Sequence, residues 1–505
     1  MGVPSYFKTL IQTYNDILIN DVDFTNLGKP VNNLFYDLNC LIHPCCRGLT
    51  DELEMLDTIY NYILKINDLV KPKDLIYIAI DGVCPRAKIE QQRKRRFKSA
   101  LEKKIWDTNA ITPGTQFMSN LNVFLKVKFK NKKNIIISDS DSRGEGEHKI
   151  MNYLKMNNKQ SDINIVYGLD ADLIHLSLIK DNNIYLLRER TEFNFEQTDS
   201  EFIFLDINSL KKYLVQDIKR GYKISNRTCI NDYIFLCFFI GNDFIHNMIS
   251  INIRYGGLNH LLETYNSCQN DYSGYFYLIH ENSLDLKNFK YFVNKLSEKD
   301  DEVLKNIIHI RENQEKKYKR IYDNIYTFYK KNDLSIFEDD YIVEFKNHLP
   351  VIDRNDERKV FKDFVNHNKR YYLYNKFLHH KYDPSLDDIL DNEKGNVCKN
   401  YLESIVWTTN YYFNDCLSWK WFYEYHYSPL LEDFNGFLKD IDSLDIINVD
   451  SESLEPKEQL LLVLPLNSLH LNKNLKNEDY YYPKDFHTNT FMKRYSWEGY
   501  PVLPV

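Results

Sequence analysis

The sequence has 505 residues, of which 43% are hydrophobic and 14% aromatic, with a formal net charge of −7. This length and apolar content allow a large buried core and exclude a wholly disordered chain. The acidic balance excludes a protein that simply coats nucleic acid, but it leaves room for a local basic patch beside a cluster of carboxylates.

Tyrosine (38) and phenylalanine (30) are frequent, a bias that AT-rich coding produces without functional cause. Nine cysteines are present and none forms a CxxC pair. Cys45 and Cys46 adjoin His43 but have no second pair at zinc spacing, so reduced thiols are expected. The segment Met1–Phe7 has neither a basic nor an apolar leader, and Tyr6 stands where a myristoylation motif needs Ser or Thr. The longest apolar run, near Tyr233–Ile240, is far too short to span a bilayer. A soluble intracellular protein is expected, cytoplasmic or nuclear (host cytoplasm if viral), with no membrane partner.

In chain order, four short apolar runs read as strands. Leu34-Phe35-Tyr36 leads into Asp37, and Leu75–Ile80 leads into Asp81. Ile135–Ile137 leads to a polar loop and then Gly144-Glu145-Gly146-Glu147. Ile163–Leu169 leads into Asp170 and Asp172. Helix-like segments lie between them, which predicts an α/β fold with a mostly parallel sheet flanked by helices. In such sheets the site lies beyond the carboxyl ends of the strands, where these acids would converge. Asp243 follows a further apolar run, in a glycine-containing turn. Residues 1–290 read as the catalytic α/β region, 291–390 as a charged helical connector, and 391–505 as a second, aromatic, largely helical block packed on the first.

Three groups of residues can carry chemistry. The acids Asp37, Asp81, Glu145, Glu147, Asp170, Asp172 and Asp243 are the ligand type that hard Mg²⁺ prefers. Crowded carboxylates repel one another unless cations neutralise them, and two metal ions would do so while activating water. The plainer reading is that each acid caps a helix or turn. The run Arg86–Arg96 would place Lys88, Gln92 and Arg95 or Arg96 on one helical face, fit to hold a phosphate. A solvated basic face is the plainer reading of the same run. His43 and a tryptophan near the acids could stack on bases, although core packing accounts for most such rings.

These residues occur in motifs that resemble the Xrn family of 5′-3′ exoribonucleases. They are Met1–Phe7 (MGVPSYF), Leu34–His43 (LFYDLNCLIH), Ala79–Gln92 (AIDGVCPRAKIEQQ) continuing as RKRRF, and Ile111–Met118 (ITPGTQFM). Gly144–Met151 (GEGEHKIM), Tyr167–Ile174 (YGLDADLI), Ile240–Phe244 (IGNDF) and Ser418–Pro429 (SWKWFYEYHYSP) follow in order. The resemblance spans residues 1–505 and is weakest over 290–390.

The resemblance implies a PIN/flap-nuclease type of fold in which the seven acids hold Mg²⁺, in two ions that Mn²⁺ can replace. It implies that Lys88, Gln92, Arg95 and Arg96 bind the 5′-monophosphate of single-stranded RNA, and that His43 and either Trp407 or Trp419 stack on terminal bases. The implied activity is processive degradation from the 5′ end to nucleoside 5′-monophosphates, with decapping or RNA-decay factors as partners. A pocket sized for a monophosphate excludes a cap or a triphosphate. The stretch between Arg96 and Ile111 is shorter than in the family, so a projecting helix should be truncated there. The long C-terminal domains of the large cytoplasmic members are missing, which leaves the core self-sufficient or braced by the connector.

Rival readings are a structure-specific flap endonuclease, which shares the acids and the fold type, and a non-catalytic RNA-binding scaffold on a decayed nuclease core. The basic helix and the aromatic second block weigh against the first, and the full set of acids weighs against the second. A nucleotide-binding α/β protein would need a glycine-rich phosphate loop, and none occurs.

Overall fold

The computed structural model describes residues 6–20, 24, 28, 30–100, 105–157, 159–168, 170–190, 200–331, 387–471, 488–489, 492–493 and 498–503. The first half is organised by one seven-stranded sheet. Its strands are β1 (Leu18–Asn20), β2 (Asn33–Asp37), β3 (Leu75–Ala79), β4 (Ile135–Ser138), β5 (Ile163–Tyr167), β6 (Asn183–Glu189) and β7 (Phe202–Asp206). The order across the sheet is β1-β7-β6-β5-β2-β3-β4.

Strands β4, β3, β2, β5 and β6 are mutually parallel, while β7 and β1 are joined to them by antiparallel pairing. This is the mostly parallel, helix-flanked sheet that the alternation of apolar runs implied. The chain builds outward from β2 to β3 and β4, then returns to the other side of β2 for β5. That reversal beside β2 is where open α/β sheets form their crevice.

Every residue of β2 and β5 is buried, as expected of parallel strands covered on both faces. Side chains alternate between the faces. Phe35 and Val166 enter one core with the helices Gly146–Asn157, Ala171–Ile179 and Asn226–Phe238, while Leu34, Tyr36, Ile165 and Tyr167 enter the opposite core with the helices Glu52–Val70 and Gln116–Phe129. A fully buried Leu or Phe contributes about 1.5–3 kcal/mol. An acid at Phe35 would therefore break the strand that carries Asp37.

Helix ends follow their capping residues. Asp51, Asp206 and Asp285 each accept a backbone N–H of the helix they start. The apolar run at Tyr233–Ile240 lies, as far as Phe238, in the helix Asn226–Phe238, which is buried throughout from Cys229 to Phe238. The helix Leu286–Ser297 crosses the boundary drawn at residue 290, so the helical stretch starts earlier than the charge pattern suggested. Asp300–Lys331 forms one long helix of 32 residues. Residues 332–386 of the expected connector lie outside the described residues. A second long helix, Asp387–Phe413, begins the aromatic block. All nine cysteines are free thiols. Among the described residues no helix is long and apolar enough to cross a membrane.

Candidate active site

Each acid reaches the crevice by a different route. Asp37 is the last residue of β2, and Asp81 follows β3 by two residues. Glu145 and Glu147 bracket Gly146, the first residue of the helix Gly146–Asn157. Asp170 sits at the N-cap of the helix Ala171–Ile179 but makes no side-chain capping bond, and Asp172 is in its first turn. Asp243 lies in the turn made by Gly241, at φ 91°. Asp170 is thus not explained as a cap, unlike Asp51, Asp206 and Asp285. Gly146 is required by proximity, since a Cβ there would stand 2.6 Å from Asp37 Oδ1.

Ligand oxygens of Asp37, Asp81 and Glu147 all lie within 4.8 Å of one another. Burial pushes the Asp37 carboxyl well above the usual carboxylate range, and the charges of Asp81 and Asp170 push it further. Burial and Glu145 raise Asp81 and Glu147 in the same way. Few protein donors compensate them. The Gly146 N–H donates to Asp81 Oδ1 at 2.7 Å, at the positive end of a helix. The thiol of Cys40 donates to Asp37 Oδ2 at 3.3 Å. Three carboxylates at mutual coordination distance, two buried and one partly buried, and short of donors, fit a divalent cation better than they fit one another.

Lys88 supplies the counter-charge. It comes from the basic helix Arg86–Ser99, and its ammonium lies 2.5 Å from Glu145 Oε2, 2.8 Å from Asp243 Oδ2 and 3.8 Å from Glu147 Oε1. Burial alone would lower its basicity, but Asp243, Glu145 and Glu147 together hold it well above the usual lysine range. In return, Lys88 keeps Asp243 ionised to well below the usual carboxylate range despite its burial. Asp172, which faces Asp243, is pushed up to about 7, by burial first and Asp243 second. All seven acids therefore meet in one crevice, in a subset around Asp81 and a subset around Lys88.

The other expected site residues are less uniform. Gln92 is buried, and its Oε1 has no hydrogen-bond partner among the described residues, a covered polar group left uncommitted. Arg95 is exposed. Arg96 is held by the loop that follows the helix, with its Nε donating to Thr112 Oγ1 at 2.7 Å and Nη2 to the Ile111 carbonyl at 3.2 Å. The helix closes at Ser99, and residues 101–104 lie outside the described residues. His43 is exposed on the helix Asn39–Cys45, just beyond Asp37.

Trp407 is corrected. It is fully buried, its indole N–H donates to the Ser418 carbonyl, and its ring is stacked with Tyr411 and Trp421 at 4.7 and 5.6 Å. No face of it is open to a base, because an aromatic-rich helix end packs its own rings together. Trp419 is half-buried beneath the Arg143 guanidinium, 5.1 Å away.

Several site residues gave no signal in the sequence. Tyr411 Oη donates to Glu145 Oε1 at 2.6 Å, and Tyr412 Oη to Asp172 Oδ1 at 3.0 Å. Asn39 Oδ1 accepts the Asp81 N–H at 3.1 Å, and Gln91 Nε2 donates to Asp243 Oδ1 at 3.2 Å. Lys149 donates to the carbonyls of Ile80 and Asp139, at 2.7 and 2.8 Å, and so ties the ends of β3 and β4 together. Only its place within GEGEHKIM marked Lys149, and only its place beside Asp37 marked Asn39.

A cluster of buried acids at the ends of parallel strands, faced by a basic helix, defines a class of site for phosphate esters and a divalent cation. Sequence comparison gives the family. Residues 1–105 and 99–190 match the XRN 5′-3′ exonuclease N-terminus, and residues 223–348 and 351–505 match the Xrn1 helical domain. The chain belongs to the Xrn 5′-3′ exonuclease family.

It is 27% identical to 5′-3′ exoribonuclease 2 of Arabidopsis thaliana, covering 100% of this chain and 66% of that one. It is 28% identical to 5′-3′ exoribonuclease 1 of Homo sapiens, covering 100% of this chain and 33% of that one. The chain thus spans about two thirds and one third of the length of these relatives. Among solved structures it is similar to the catalytic core of Rad2 in complex with DNA substrate, with a TM-score of 0.32 and 15% identity, covering 58% of this chain and 80% of that one.

Proposed function

We propose that the chain is a processive 5′→3′ exoribonuclease that degrades single-stranded RNA bearing a 5′-monophosphate to nucleoside 5′-monophosphates. One observation carries the reading: Lys88, from the basic helix, stands among the acids that surround the Asp37–Asp81–Glu147 triad. A terminal phosphate held by that helix would therefore lie beside the acids.

Asp37, Asp81 and Glu147 would hold one Mg²⁺, with Glu145, Asp170, Asp172 and Asp243 available to a second; Mn²⁺ shares the same oxygen preference. When bound, such ions would activate water and neutralise the phosphodiester's developing charge. The protein's own contribution is orientation. Gln92 presents a buried amide, Arg96 is fixed by Thr112 and Ile111, and Arg95 adds an exposed cation. A pocket that these residues sized for a monophosphate would exclude a cap or triphosphate. Exposed His43 is the better candidate to stack on a base, with Trp419 second. Residues 391–505 would complete the core of residues 1–290, as the bonds of Tyr411 and Tyr412 and the Arg86 N–H donated to the Trp419 carbonyl suggest.

The test is degradation of one 3′-labelled RNA carrying a 5′-monophosphate, hydroxyl or triphosphate, with Mg²⁺ or EDTA, by the parent and Asp170→Ala. Selective loss of the monophosphate RNA without intermediates, abolished by EDTA and by the substitution, is expected. Equal attack on all three ends, or cutting at internal junctions, would support a flap-type endonuclease instead. Binding without any cleavage would support a scaffold.

A further inference from the structure

We propose that Tyr411 and Tyr412 are positioning residues of the acidic site, two adjacent phenols that fix Glu145 and Asp172 in the orientation a divalent cation needs. The proposal rests on the nuclease reading above and extends it to the second block. Both tyrosines end the helix Asp387–Phe413. Neighbouring residues of a helix point about 100° apart, so two successive rings can enter one crevice and reach different acids. Tyr411 Oη donates to Glu145 Oε1 at 2.6 Å, and Tyr412 Oη to Asp172 Oδ1 at 3.0 Å. These acids come from different elements, one just before the helix Gly146–Asn157 and the other within the helix Ala171–Ile179.

Both rings are locked. Tyr411 lies against Trp407 at 4.7 Å, His148 at 3.9 Å and Phe244 at 5.3 Å. Tyr412 lies against Phe238 at 5.0 Å. A hydroxyl on a packed ring has almost no freedom left, so the carboxylate it binds inherits that rigidity.

The chemistry of the donor matters. Lys88 also binds Glu145, but it cancels a charge in doing so. A phenol orients a carboxylate oxygen without adding positive charge, so the acid keeps its full attraction for a cation. Glu145 is bound on both oxygens, with Oε1 to Tyr411 and Oε2 to Lys88. A cation that displaced the lysine would still find the acid held on its other side. Partners behind metal ligands act in this way, and their loss commonly costs about 10- to 100-fold in metal affinity.

The test measures Mn²⁺ binding by the electron paramagnetic resonance of the free ion, alongside thermal unfolding, for the full chain without RNA. The variants are Tyr411→Phe, Tyr412→Phe, Asp81→Ala, and Tyr401→Phe as a control. Tyr401 is on the same helix and is equally buried, but its hydroxyl binds the His246 carbonyl, away from the acids. The expected result is a Mn²⁺ dissociation constant raised about 10- to 100-fold by either Phe substitution, and unchanged by Tyr401→Phe whatever its melting temperature. Trp407→Phe, which thins the packing behind Tyr411 but keeps every hydroxyl, should raise it a smaller amount and serves if a Tyr variant does not fold. Unchanged Mn²⁺ affinity in Tyr411→Phe and Tyr412→Phe, or an equal loss in Tyr401→Phe, overturns the proposal. If the parent binds no Mn²⁺, or binds it independently of Asp81, the nuclease reading falls and takes this proposal with it.

Discussion

Two regions of the molecule bury carboxylates, and they treat them differently. Asp232 is wholly buried on the helix Asn226–Phe238, where Tyr265 Oη donates to it at 2.6 Å and the Ile279 and Leu278 N–H groups at 2.7 and 3.1 Å. No other acid is among the groups that shift it; burial pushes it up to about 7 and those donors pull it back. Asp37 and Glu147 are buried and Asp81 partly so, but they have few donors and their ligand oxygens lie within 4.8 Å of one another. Burial of an acid is therefore not what marks a site. A carboxylate surrounded by donors is part of the scaffold, whereas a carboxylate surrounded by carboxylates is waiting for positive charge.

That contrast can be broken or sharpened by measurement. The largest effect is expected from Asp81→Ala, which should lower RNA turnover by about 10³-fold or more while leaving the protein folded, and raise its melting temperature in EDTA because a repulsive charge is gone. A melting temperature lowered as much as by Asp232→Ala would erase the distinction. Lys88→Met should follow, with turnover of 5′-monophosphate RNA down about 10²-fold, a loss of roughly 2.7 kcal/mol. It should also lower the melting temperature in EDTA, more than in Mg²⁺, since Glu145 and Asp243 lose their shared cation. Asp232→Ala should cost about 2–4 kcal/mol of stability by urea unfolding, through orphaned buried donors. Turnover per folded molecule should stay at the parent value.

The smallest effect is on the pH dependence of stability in EDTA. Asp232 and Asp172 have folded-state pKa values raised to about 7, so the native state holds protons that the unfolded chain has released. Their contribution is complete at acid pH, below the ordinary value of about 4, and is lost as pH rises through about 7. Asp243, held low by Lys88, works in the opposite sense, but only at pH below that window. Buried neutral His148 and His175 act oppositely in the same range, so the test is a difference. In urea titrations from pH 5 to 8 the parent should lose stability relative to Asp232→Asn as pH rises, and a difference that does not change with pH would contradict the assignment.

The sheet and the acids were legible in the sequence because each parallel strand is an apolar run that stops at a carboxylate. The strands β6 and β7 went unread. β6 ends in Arg188 and Glu189, and β7 pairs antiparallel at the side of the sheet away from the acids, so neither is marked by chemistry. The face shared by Lys88, Gln92 and Arg95 or Arg96 was visible from helical spacing, but not the inward turn of Lys88 onto three acids, which depends on chain 57 to 155 residues further on. Trp407 misled because composition does not say whether a ring faces solvent or other rings. Tyr411 and Tyr412 were invisible among 38 tyrosines, since nothing local distinguishes a phenol whose partner is 266 or 240 residues away.

That separation also bears on how the protein is made. All seven acids and the basic helix are synthesised before Tyr411. At roughly 5–20 residues per second, the 266 residues between Glu145 and its phenol take on the order of 10–50 s to translate. Throughout that interval the nascent chain carries its acids without the helix that orients two of them. Glu145 and Asp172 can therefore take the orientation seen in the folded chain only once that helix has emerged.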